Sequence, residues 1–103
     1  MNAVKVQYTV QADYAETNKA NIRKVMAELQ ELNHPQLRYS AFVLEDGKTF
    51  IHFVMRGNEE AQQVLNELPA FIEFQRQLRE SKPEVPPSPA PLTLVDISWD
   101  VFN

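Results

Sequence analysis

Apolar and polar residues change period along the chain, and each change marks an element. Val4, Val6, Tyr8, Val10 and Ala12 alternate with Lys5, Gln7, Thr9 and Gln11, the period-two signature of a half-buried strand. The period then lengthens. Ile22, Val25, Met26, Leu29 and Leu32 form one stripe of an amphipathic helix, with Asp13 or Thr17 available as its cap. Pro35 stops that helix, because it lacks an N–H and disfavours helical geometry at His34.

From Leu37 to Met55, two strand-forming runs flank Asp46-Gly47. A tight hairpin with both turn residues at positive φ would set Val43 opposite Phe50, Ala41 opposite His52 and Tyr39 opposite Val54. One face then collects Leu37, Tyr39, Ala41, Val43, Phe50, His52 and Val54. The other collects Phe42, Leu44, Ile51, Phe53 and Met55. Both rows are largely apolar, so both faces of the sheet call for cover.

Asn58 caps a second helix with Glu59 and Glu60 in its first turn, and Ala61, Val64, Leu65 and Leu68 form its stripe. Pro69 divides it from a further helical piece, 70–80, that buries Phe71, Phe74 and Leu78. Residues 81–91, SKPEVPPSPAP, hold five of the seven prolines and read as a stiff surface connector. Thr93, Val95, Ile97 and Trp99 then alternate with Leu92, Leu94, Asp96 and Ser98, which predicts the last strand, followed by a tail over 100–103.

The order is β-α-β-β-α-β: an α+β, ferredoxin-like antiparallel sheet with the helices on one face. Right-handed crossovers put the first and third strands in the centre. The uncovered face is apolar, and a second copy packing on it, sheet to sheet, predicts a homodimer.

Length and composition narrow this further. At 103 residues the chain is a single domain, 1–103, with an ordinary 44% hydrophobic content. A net charge of −4 leaves no basic footprint for nucleic acid. RNA-recognition domains share the element order, but Thr49 and Ile51 stand where their third strand needs small residues. Without cysteine there is no thiolate site, and the two histidines sit in no metal-ligand motif, so neither metal nor cofactor is expected. No apolar run is long enough to cross a membrane, and the expected location is cytoplasmic.

The strand–hairpin–strand followed by NEEAQQVLNELPAFIEFQRQL resembles the dimeric α+β barrels related to antibiotic biosynthesis monooxygenases. Glu60-Ala61 and Pro69-Ala70-Phe71-Ile72-Glu73-Phe74 match the acidic-Ala and Pro/Ser-x-Phe-x-x-Phe pattern of their second crossover. The resemblance implies a homodimer whose two sheets enclose a cavity, and a superfamily that includes cofactor-independent oxygenases of quinol-like aromatics, haem-degrading enzymes, decarboxylases and isomerases. Relatives carry an acid late in the third strand and a histidine in the next helix. Those positions fall here on Val54 and on Val64 or Leu65, all aliphatic.

Within such a barrel, His52 is the first candidate for chemistry, as a general base or a polar anchor, because its ordinary pKa lies near neutrality. Tyr39, diagonal on the neighbouring strand, can present its hydroxyl to the same space. His52 and Tyr39 are therefore the expected catalytic pair. Gln7, Thr9, Phe50, Val54 and Asp96 are the expected ligand contacts, all on the barrel-interior face. The expected function is binding or turnover of a small organic molecule, oxygenase-like and without cofactor. The alternative is a non-catalytic dimerisation or regulatory module.

Overall fold

The computed structural model describes residues 1–102, and the last residue of the expected tail, Asn103, lies outside them. The chain runs β1 (Asn2–Thr9), a short 3-10 turn (Ala12–Tyr14), α1 (Ala15–Leu32), β2 (Leu37–Val43), β3 (Thr49–Arg56), α2 (Glu59–Glu67), α3 (Pro69–Glu80) and β4 (Val85–Leu92). All three pairings are antiparallel, and the sheet order is β2-β3-β1-β4, with β1 and β3 central as the crossover rule requires. Asn58 caps α2 by accepting from the Ala61 N–H at 2.9 Å, and Pro69 opens α3 at its first turn.

The hairpin has the expected register, with Val43 opposite Phe50, Ala41 opposite His52 and Tyr39 opposite Val54. Its turn is built differently. Only Gly47 has positive φ, at 75°, and its N–H donates to the Leu44 carbonyl at 3.0 Å. The Asp46 carboxylate accepts from the backbone N–H groups of Lys48 and Thr49, both at 2.9 Å. Asp46 acts through its side chain and leaves the left-handed geometry to glycine.

The last strand departs from expectation. Residues 81–91 are not a connector: β4 is the proline-rich segment itself, and the expected strand over 93–99 is not formed. An edge strand needs N–H groups only on its inner side. Pro87, Pro89 and Pro91 recur at period two, so their missing donors fall on the outer side. Ser88, Ala90 and Leu92 stand opposite Gln7, Lys5 and Ala3. Lys82, at φ 56°, turns the chain directly after α3, and the Gln11 side-chain amide donates to its carbonyl at 3.0 Å. The segment nearest that turn takes the free edge of β1, and the more strand-like 93–99 is left outside.

Cross-strand partners share a face. The register sets Val4 against Val54, Val6 against His52 and Tyr8 against Phe50. These residues face the helices, where Tyr8, Val25, Phe50, Phe74 and Leu78 form the main core and Leu37, Val54, Ala61 and Leu65 a second cluster. The face away from the helices carries Lys5, Gln7, Thr9, Phe42, Ile51, Phe53 and Met55, with Ile97, Trp99 and Val101 of the tail beside Phe53 and Met55. Phe42, 56% exposed, meets Phe53 edge to face.

Candidate functional site

The expected site residues separate onto the two sides of the sheet. His52, Tyr39, Phe50 and Val54 lie beneath the helices rather than in a barrel interior, while Gln7 and Thr9 lie on the open face, where the Thr9 hydroxyl meets that of Thr49 at 2.9 Å. The reason is register: once the valines of β1 face the helices, every residue directly opposite them on β3 must do so too. Asp96 is in no strand; exposed in the tail, it accepts from the adjacent Ile97 N–H at 2.8 Å.

Under the helices, His52 is 2% exposed and held at both ring nitrogens. The Tyr8 hydroxyl lies 2.7 Å from Nε2, and the Tyr39 hydroxyl lies 2.6 Å from Nδ1. Asn18, fully buried on α1, donates its Nδ2–H to the Tyr8 oxygen at 2.9 Å. Two tautomers fit these distances. In one of them Tyr8 accepts from Asn18 and gives its own proton to Nε2, and neutral imidazole carries its proton on Nδ1 and donates it to the Tyr39 oxygen. The chain Asn18→Tyr8→His52→Tyr39 then ends on a phenolic O–H directed onward.

Burial controls the protonation of all three rings. Desolvation holds the His52 pKa down to about 4, and it pushes the Tyr8 and Tyr39 phenols well above their ordinary value. All are neutral at pH 7. Aromatic contacts fix the imidazole plane: Tyr8 at 5.2 Å, Tyr39 at 5.5 Å and Phe74 at 5.6 Å between centroids.

Beside this network a cavity of about 320 Å³ lies between sheet and helices. Tyr8, Tyr39 and His52 line one part, and Phe71, Phe74, Leu65 and Val54 form apolar walls. Pro87 and Pro89 of β4 close a side, so the proline-rich strand contributes to the cavity as well as to the sheet. Arg56, Gln62, Asn66 and Gln75 supply a polar end. A larger and shallower groove of about 490 Å³ runs between α1 and β2 past Met26, Leu29, His34 and Arg38. Of the three linked rings only Tyr39 lines it, without Tyr8 or His52, so the smaller cavity is the candidate site. Among the described residues no three histidine, aspartate or glutamate side chains gather to hold a metal, and no helix is long and apolar enough to cross a membrane.

The apolar pattern of the sequence does not single out Asn18, and it marks Tyr8 only as an apolar strand position. A signal for Asn18 was present: with Ile22, Val25 and Leu29 it extends the buried stripe of α1 by one turn. A polar residue in such a stripe needs a partner inside.

No family model matches the chain, and no curated protein sequence does. Solved structures match over nearly its whole length. One, named an antibiotic biosynthesis monooxygenase, is 12% identical with a TM-score of 0.77, covering 93% of this chain and all of the other. Rv0793 from Mycobacterium tuberculosis is 16% identical with a TM-score of 0.77, over 95% of this chain and 98% of its own. SnoaB, a cofactor-independent oxygenase from Streptomyces nogalater, is 12% identical with a TM-score of 0.69, over 93% and 94%. The chain thus has the α+β fold of antibiotic biosynthesis monooxygenase-like proteins, in agreement with the resemblance seen in its sequence.

Proposed function

We propose that this protein is a homodimer that binds a small aromatic molecule in the cavity between sheet and helices, with Tyr39 as the donor that orients it. The observation that carries this reading is the buried Asn18–Tyr8–His52–Tyr39 network beside an aromatic-walled space; in the tautomer with the proton on Nδ1 it leaves the Tyr39 phenolic proton without an internal acceptor. His52 serves as the anchor of that donor. Moving a phenolic proton, with an ordinary pKa of about 10, onto an imidazole held near 4 would cost about 8 kcal/mol at 1.36 per unit. Proton abstraction by His52 alone is therefore a poor route to an oxygenase-type reaction, and binding is the function the site supports best.

Tyr39→Phe tests it. The variant should keep its fold and weaken binding of naphthol by about tenfold, the value of one hydrogen bond in a dry site. Unchanged affinity by isothermal titration calorimetry would remove Tyr39 from the site. SnoaB's cofactor-independent oxygenation, on a shared fold, supports turnover as a second reading. Oxygen consumption with a dihydroxynaphthalene, lost in the same variant, would establish it. The non-catalytic alternative predicts no binding at all.

Dimerisation is supported by the open face. Phe42, Ile51, Phe53 and Met55 lie outside the helix layer, and the tail adds exposed Val95 and Trp99. Sheet-on-sheet packing would bury both sets. Phe42→Glu is expected to shift the sedimentation coefficient from dimer to monomer, because it places a charge in the packed layer. A wild-type protein that sediments as a monomer at micromolar concentration contradicts the dimer.

A further inference from the structure

Arg56 is the last residue of β3 and shares the helix-side face with His52 and Val54. It lines the polar end of the cavity. Among the described residues no carboxylate or hydrogen-bond acceptor meets its guanidinium, and its Nε is buried with no partner. The surroundings make this unusual. The chain has 14 acidic residues against 10 basic ones, and its other ion pairs form readily: Lys48 with Glu84, Lys19 with Glu16, and Arg76 with both Glu73 and Glu80. Carboxylates are in excess, yet none reaches Arg56. A buried guanidinium nitrogen without an acceptor is costly.

A second unmet group lies on the same cavity. The Oε1 of Gln62 is buried without a donor, while its amide nitrogen donates to Asn66 Oδ1 at 2.6 Å. One end of the space therefore offers an unused cationic fork and an unused acceptor, and the other offers the Tyr39 hydroxyl.

We propose that Arg56 forms an anion subsite, so that the ligand is a hydroxylated aromatic carboxylate with its carboxylate on Arg56 and its hydroxyl at Tyr39; Gln62 Oε1, an acceptor, takes no part in holding the anion. The assignment rests on the reading of this cavity as the ligand site and adds the class of ligand. Charge selects a carboxylate over a phosphate: one guanidinium neutralises one negative charge, and a second would stay uncompensated among Phe71, Phe74 and Leu65. Shape selects it too, since the Nε–H and one Nη–H form a planar pair matching two carboxylate oxygens. His52 and Arg56 are four residues apart on one strand, about 13 Å between Cα atoms. The reach of the arginine side chain shortens the gap to a length suited to a flat ring system. A volume of about 320 Å³ is at the small end for ligand sites, which favours one or two fused rings.

The test is calorimetric titration of the intact protein with two probes of the same skeleton, hydroxynaphthoate and naphthol. The subsite predicts that wild type binds hydroxynaphthoate about tenfold or more tightly than naphthol. Arg56→Met, which keeps the apolar stem, should erase the difference by bringing hydroxynaphthoate down to the affinity that the same variant has for naphthol, while Arg56→Lys should keep part of it. Equal affinity of the two probes for wild type, or a preference that survives Arg56→Met, overturns the subsite and leaves the cavity reading intact. Failure of both probes to bind at millimolar concentration overturns both. Circular dichroism melting of each variant separates lost recognition from lost fold.

Discussion

Acidification from pH 7 to pH 4 is expected to remove about 3 kcal/mol of stability through His52 alone. In the unfolded chain the imidazole takes its proton near its ordinary pKa of 6.5, whereas in the fold it resists until about 4. Between those values the unfolded state binds more protons than the folded state, so stability rises with pH across that window and falls as pH drops through it. The effect is fully absent above the upper value and fully expressed below the lower one. Against a total stability of about 5–15 kcal/mol for a domain, this is a large share. Urea unfolding at several pH values would measure it. His52→Gln, which cannot titrate, should flatten the profile in that window even if it lowers stability throughout. A wild-type midpoint that does not move between pH 6.5 and pH 4.5 would show that His52 is not sealed from water.

Tyr8→Phe is expected to cost about 3 kcal/mol or more, and it should exceed Tyr39→Phe in stability while falling below it in ligand recognition. The Tyr8 hydroxyl is the shared partner of Asn18 Nδ2 and His52 Nε2. Asn18 Oδ1 already lacks a hydrogen bond, so removing the hydroxyl leaves both ends of a buried amide unmet and strips the imidazole acceptor as well. Each such group costs about 1–3 kcal/mol. Removing the Tyr39 hydroxyl deprives His52 Nδ1 alone, on the side where the cavity can admit water. Thermal melts of the two single variants, and of Tyr8→Phe combined with Asn18→Leu, would separate the contributions. The double variant should regain stability over Tyr8→Phe, because replacing both partners by apolar groups removes the unmet amide. Equal losses in the two tyrosine variants would break the directional chain.

Much of the architecture could be read from local pattern, and the reasons are visible in particular residues. The alternation over Val4–Ala12, the stripe around Val25, the Asn58 cap and the Pro69 break are each short-range signals, and each produced its element, although the first strand ends at Thr9 and Ala12 falls in the 3-10 turn. The hairpin register followed from the spacing of two runs about Asp46-Gly47, even though the turn itself uses the Asp46 carboxylate. The candidate site was legible only as a list of residue types. His52 and Tyr39 do meet, but Gln7 and Thr9 are on the other side of the sheet and Asp96 is in none of its strands. The partners that orient His52, Tyr8 and Asn18, come from β1 and α1.

By itself the sequence determined the β-α-β-β-α-β order, the apolar character of both sheet faces and the presence of one buried-type histidine in β3. These follow from periodicities of two and 3.6 that every residue reports about its neighbours. Only the tertiary structure decided which row of β3 lies beneath the helices, because that depends on its alignment with β1, forty-odd residues away in the chain. It also decided which segment became β4. Local preference favoured 93–99, but an edge position tolerates proline on its outer side, and the turn at Lys82 delivers 85–92 to β1 first. Strand pairing is chosen by geometry at long range, and with it the face on which chemistry is assembled.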